Sequence, residues 1–183
     1  MSVLFINACV RECSRTLVLA RNVLKDIRGE ITEVNLEKEG LMPLGRELLL
    51  ERERLVGEGR LDDEMFRYAR QFADADEIVI AAPFWDLAFP ALLKIYLEII
   101  TVSGITFKYD GGRPSGLCKA RRLTYVTTSG GPIFEDFGYS YVRSLAKNFY
   151  GIKETKAIRA TNLDMDMISA EELLARAEIT TLE

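Results

Sequence analysis

Three short stretches hold the residues that could do chemistry in this 183-residue chain. The first carries Arg11, Ser14, Arg15 and Thr16. Two guanidinium groups and two hydroxyls side by side form a donor set for a phosphate, the arginines supplying charge and the hydroxyls single hydrogen bonds. The second is Pro83, Phe84, Trp85, Asp86 and Leu87, a loop with two adjacent aromatics. The third is Thr128, Ser129, Gly130 and Gly131. Paired glycines let the backbone come close to a ligand and point N–H groups at it. Each stretch also has a plainer reading. Ser14 can simply cap a helix, Phe84 and Trp85 can pack on a neighbouring helix, and the glycine pair can be an ordinary turn.

Other chemistries are excluded by composition. The chain has no histidine, which removes Ser-His-Asp and Cys-His catalysis and the usual ligand set of zinc and non-haem iron. Cys9 and Cys13 have only Cys118 to join them, so no metal site is expected. Three cysteines, few and odd in number, point to reduced thiols in a cytoplasm. A net charge of −4 indicates no nucleic-acid surface. No apolar run approaches the roughly 18 residues of a membrane span, and no signal peptide is visible at the N-terminus. With 48% hydrophobic and 28% charged residues, the chain is expected to fold as a single domain over residues 1–183.

The elements that must position the three stretches follow from periodicity. Residues 78–82 are an unbroken apolar run, hence a strand buried on both faces. Pro83 ends it, and Pro90 suits the first turn of a helix whose apolar positions run from Leu92 to Ile100. Residues 3–6 and 123–128 are further buried strands, residues 31–36 an edge strand, and residues 152–160 a weak last strand. Helices are expected at residues 17–27, 46–56, 61–75, 90–102, 135–150 and 170–178, the last capped by Ser169 with Glu172 three residues on. Residues 104–112 look like a short extended excursion ending in a glycine turn. Gly57-Glu58-Gly59 is half of a dinucleotide fingerprint without its strand and reads as a linker. Strand–helix alternation implies right-handed crossovers and a five-stranded parallel sheet covered on both faces. In the order 2-1-3-4-5 the three chemical stretches follow strands 1, 3 and 4, which are neighbours, at the edge where open α/β sheets bind ligands.

The ordered set residues 82–87, residues 89–94, residues 104–109, Gly116-Leu117 and residues 128–131 resembles the flavodoxin-like NAD(P)H-dependent FMN reductases, which include azoreductases and quinone reductases. The resemblance covers nearly the whole chain. It implies a flavodoxin-like doubly wound fold and FMN at the sheet edge. Ser14 and Thr16, with Arg11 or Arg15, would hold the phosphate. Pro83, Phe84, Trp85, Asp86 and Leu87 would frame the isoalloxazine, and Thr128, Ser129, Gly130 and Gly131 would close its pyrimidine side. Trp85 and Tyr109 would face the substrate. It further implies a homodimer and ping-pong hydride transfer from NADH or NADPH to a quinone or azo acceptor, with no catalytic side chain because the flavin carries the chemistry. Trp85-Asp86 stands where azoreductases tend to have Tyr-Asn. A flavodoxin-type electron carrier and a non-enzymatic flavin-binding protein are the alternatives on the same fold.

Overall fold

A computed structural model describes residues 1–165 and 169–180. Its centre is β3 (Glu77–Ala81), in which every residue is buried. A strand with apolar side chains on both faces satisfies its backbone only by pairing on both edges, and it does so in parallel. On one side lies β1 (Ser2–Asn7), with Val3 opposite Glu77. On the other lies β6 (Arg122–Thr128), with Ala81 opposite Val126. Outside these run β2 (Glu30–Asn35) and β7 (Glu154–Ala160). The five parallel strands therefore take the expected order.

A sixth strand extends the sheet. β8 (Glu178–Thr180) pairs antiparallel with β7, so the full order is β2-β1-β3-β6-β7-β8. The expected terminal helix is accordingly shorter: α6 spans Ala170–Ala175, and Glu178 belongs to the strand. Ser169 caps α6 through Glu172 N–H, as expected. An antiparallel return needs only a short connection, and it covers the outer backbone edge of β7.

Alternating side chains divide the core between the two faces. Leu4, Ile6, Ile78, Ile80, Leu123 and Tyr125 pack on one side, toward α3 (Arg67–Asp74), α4 (Ala91–Ile100) and α5 (Phe137–Leu145). Val3, Phe5, Val79, Ala81, Val126 and Ile158 pack on the other, toward α1 (Arg15–Lys25) and α6. α2 (Arg46–Gly57) buries only Leu55 and is the surface helix its charges suggested. Arg52 ties it to the core by donating to the Glu98 and Thr101 carbonyls at the end of α4. No helix of the described residues is long and apolar enough to cross a membrane.

Two expected helices differ in detail. The helix expected over residues 61–75 is interrupted: a 3₁₀ turn at Glu64–Phe66 precedes α3. Asp63 restarts the chain by accepting a hydrogen bond from Met65 N–H at 3.1 Å, and Arg70 donates to the carbonyls of Leu61 and Asp63. α5 relaxes into a π turn at Ala146–Tyr150, closed by Gly151 with φ 78°.

The excursion after α4 is an antiparallel hairpin, β4 (Phe107–Asp110) and β5 (Arg113–Gly116). Gly111 and Gly112, with φ 56° and 80°, make the left-handed turn that a two-residue hairpin loop needs. The hairpin lies against the end of the π turn, and Cys118 N–H donates to Tyr150 O. The approach is so close that a Cβ on Gly116 would fall 2.1 Å from Gly151 N. Backbone cannot step aside as a flexible side chain would. Gly116→Ala is thus expected to lose about 2 kcal/mol or more of stability, from steric overlap in a packed region. Gly57→Ala, with open space around it, should be neutral or slightly stabilising. Chemical denaturation of the two variants checks this, and equal midpoints would refute it.

Candidate functional site

The first loop is built from the end of β1. Asn7 accepts a hydrogen bond from Cys9 N–H at 3.0 Å, and Ala8 N–H donates to Ala81 O at 2.9 Å. These turn the chain across the top of β3. Ser14 caps α1 by accepting from Leu17 N–H at 3.2 Å. The other N–H groups of the first turn remain as an anion-attracting helix start, and no acidic residue lies in that turn. The Thr16 and Thr128 hydroxyls meet at 2.6 Å, buried, and join α1 to the end of β6. Such a pair uses one hydrogen between the two oxygens and leaves the other free to donate. Beneath the loop, burial pushes the Cys9 thiol up to about 11, with the Ser14 hydroxyl opposing and Glu33 adding to the shift. Cys9 therefore stays a neutral thiol at neutral pH, whereas Cys13 is exposed.

The second loop continues the pairing with β6 beyond the end of β3. Ala82 N–H donates to Val126 O and Phe84 N–H to Thr128 O, each at 3.0 Å. Trp85 and Ala88 then exchange backbone hydrogen bonds at 3.4 and 2.8 Å. The two residues between them, Asp86 and Leu87, have φ 50° and 65°. This is the backbone of a primed two-residue turn. Asp tolerates it, but Leu does so at a cost on the order of 1 kcal/mol. The start of α5 holds the turn in place. Phe137 N–H donates to Leu87 O at 2.9 Å, and Gly138 allows an approach in which a Cβ would lie 3.1 Å from Ala88 O. Asp136, the cap of α5, is itself paired with Arg159 of β7, with both side chains largely buried. Trp85 and Leu87 are left projecting, 36% and 47% exposed.

The third loop is zipped to the segment that follows β7. Leu163 N–H donates to Ser129 O at 3.2 Å, Asp164 N–H to Gly130 O at 3.0 Å and Asn162 N–H to Gly131 O at 3.3 Å. Asn162 adopts φ 63° to make the turn.

The three loops enclose one cleft of about 250 Å³. Arg11, Ser14, Arg15 and Thr16 line it from the first loop, Pro83, Phe84 and Trp85 from the second, and Thr128, Ser129 and Gly130 from the third. Asp86, Leu87 and Gly131 adjoin these residues in the chain without lining the cleft. Tyr109 lies elsewhere, on the β4–β5 hairpin, 63% exposed with its ring edge-on to Phe107. Val10, Cys13 and Asp164 line the cleft although their side chains gave no signal in the sequence. For Asp164 the available cue was position. It follows the fifth parallel strand, next to the strand whose loop carries Gly130.

Residues 1–182 of the 183 match a protein family described as having a flavodoxin-like fold. The chain belongs to that family. Among curated family relatives, the FMN-dependent NADH:quinone oxidoreductase 2 of Clostridium acetobutylicum is 38% identical over 170 residues, 87% of this chain and 84% of the relative. The FMN-dependent NADH:quinone oxidoreductase of Caldicellulosiruptor saccharolyticus is 32% identical over 177 residues, 91% and 88% of the two chains. Among solved structures, an azoreductase from Bacillus anthracis superposes with a TM-score of 0.82 at 24% identity, covering 96% of this chain and 94% of that one. An FMN-dependent NADH-azoreductase from Bacillus anthracis in complex with FMN gives 0.78 at 23% identity, covering 95% and 92%. At these identities the structural likeness speaks for the fold.

Proposed function

We propose that this protein is an FMN-dependent NADH oxidoreductase reducing quinones or azo compounds by a ping-pong mechanism. One observation carries the reading: a phosphate donor set, an aromatic loop and a glycine-rich loop from separate parts of the chain line a single cleft at the C-terminal edge of the sheet. The names of the full-length relatives, which specify FMN, NADH and quinone, support it. The donor set fits the cofactor's phosphate. It combines a helix start with no acidic residue in its own first turn, the free hydroxyl hydrogen of the Thr16–Thr128 pair, Ser14, and the charge of Arg11 and Arg15.

When bound, FMN supplies the hydride chemistry between nicotinamide and acceptor. The chain's own residues do the rest. The first loop anchors the phosphate. Pro83, Phe84 and Trp85 form the wall for the flat ring, with the turn at Asp86-Leu87 holding Trp85 in place. Gly130 has no side chain because the Asp164 carboxylate packs over it, and its backbone lines the side of the cleft that takes the pyrimidine edge. Trp85 limits the space above the ring to one planar partner at a time, so nicotinamide and acceptor take turns. No titrating side chain is required at the reacting atoms, in keeping with a chain that has no histidine. The three cysteines are free thiols, which suits a reducing cytoplasm.

We also infer a symmetric homodimer. An apolar groove of about 270 Å³ lies beside α2, lined by Leu41, Met42, Leu44, Leu48, Met65 and Ile99 among others. Exposed Leu49 and Leu50 adjoin it. An apolar surface of this kind marks an interface more often than bare surface, and two-fold pairing is the commonest way to cover it.

Four measurements test the reading. Titrating FMN-free protein with FMN should quench most emission of the only tryptophan, Trp85, and saturate at one flavin per chain. Trp85→Phe should still bind FMN but with altered affinity or flavin spectrum, and a variant matching the parent in both would remove Trp85 from the ring. Initial rates with NADH and a quinone should give parallel double-reciprocal lines, since intersecting lines would mean that both substrates bind together. Light scattering should report twice the 20.7 kDa of one chain, and a monomer's mass would contradict the dimer.

A further inference from the structure

Arg15 enters the cleft already engaged. Its Nη1 donates to Leu163 O at 2.7 Å and its Nη2 to Asp164 Oδ1 at 2.6 Å. Both bonds reach across the mouth of the cleft, from the first turn of α1 to the segment after β7. The Asp164 carboxylate lies directly over Gly130, so that a methyl placed there would sit 2.0 Å from its Oδ2. Its backbone is held too, by the bond from Asp164 N–H to Gly130 O. A carboxylate thus occupies the rim of a cleft whose other charged lining groups are Arg11 and Arg15. Arg11 has no ion pair among the described residues.

This is an unusual place for an acid. A phosphate arriving at the start of α1 meets like charge, and one of the two arginines that should receive it is occupied. The ion pair is also half-exposed, at 35% and 65% for the two side chains. Pairs in that setting are weak and exchange readily. A phosphate dianion is a stronger partner for a guanidinium than one carboxylate in water.

We propose that Asp164 is a gate residue: it holds Arg15 while the cleft is open and yields it to the phosphate of the entering flavin, lowering phosphate-dependent affinity and favouring reversible cofactor loading. This rests on the cleft being the FMN site. Because the gate acts on the phosphate and not on the ring, it should separate FMN from riboflavin, which has the same ring and side chain without the phosphate.

FMN-free parent, Asp164→Asn, Arg15→Gln and the double variant are titrated with FMN and with riboflavin, following flavin fluorescence. Asn keeps the shape and the backbone bond but not the charge. Asp164→Asn should bind FMN about fivefold more tightly, and riboflavin as the parent does. In the Arg15→Gln background the gain should vanish. An unchanged or weakened FMN affinity in Asp164→Asn would overturn the gate, the weakened case making Asp164 a support that orients Arg15. An equal gain for riboflavin, or a full gain without Arg15, would also overturn it. A parent that binds neither flavin would instead refute the cofactor reading on which the gate rests.

Discussion

The structure depends on the pairing of β3 with β6. Both strands are sealed on both faces, so their N–H and C=O groups have no water to turn to and must find one another. The pairing does not stop where β3 does. It runs on through Ala82 to Val126 and Phe84 to Thr128, which carries the aromatic loop and the glycine loop out of the sheet side by side. β1, on the other edge of β3, brings the arginine and hydroxyl loop to the same height. The cleft follows from parallel register, because parallel strands end together and their outgoing loops must share one edge.

Around that register the protein adds devices that hold each loop. The helix α1 is capped by Ser14 and bound to β6 through the Thr16–Thr128 hydroxyl pair. The turn at Asp86-Leu87 accepts an unfavourable backbone at Leu87 because the start of α5 clamps it, through Phe137 N–H and the close approach at Gly138. The clamp is fixed in turn by the largely buried Asp136–Arg159 pair, which ties α5 to β7. Removing one partner of such a pair strands a charge, so it is a rigid joint whatever its net contribution. The glycine loop is held by the segment after β7. Backbone and side-chain bonds thus hold each wall of the cleft, and the half-exposed pair of Arg15 and Asp164 stands at its rim.

Much of this was legible from residue types alone. The apolar run at residues 78–82 contains no polar alternation, and only a strand buried on both faces accommodates it. Pro90 marked the start of α4 because proline lacks the N–H that a first helical turn does not need. The alternation of strands and helices determined a parallel sheet, and the order of the five parallel strands then assigned three loops to one edge. That is why Arg11, Ser14, Thr16, Trp85 and Gly130 could be grouped without coordinates. Each was a weak signal, and topology joined them.

Tertiary structure decided what has no local signature. β8 is a strand because the outer edge of β7 was available to pair, not because residues 178–180 alternate. The helix expected over residues 61–75 begins only after Asp63, whose side chain caps the 3₁₀ turn at Glu64–Phe66. Gly116 must be glycine because of Gly151, a residue distant in sequence, and Leu87 takes a left-handed conformation because α5 imposes it. Asp164 shows the limit most clearly. An acid in the loop after a strand carries no pattern, and only the position of that loop over Gly130 sets its carboxylate against Arg15. The sequence by itself determined which groups line the edge of the sheet, since that follows from periodicity and strand order. Which of those groups touch, and which line the cleft, depends on close packing between elements far apart in the chain.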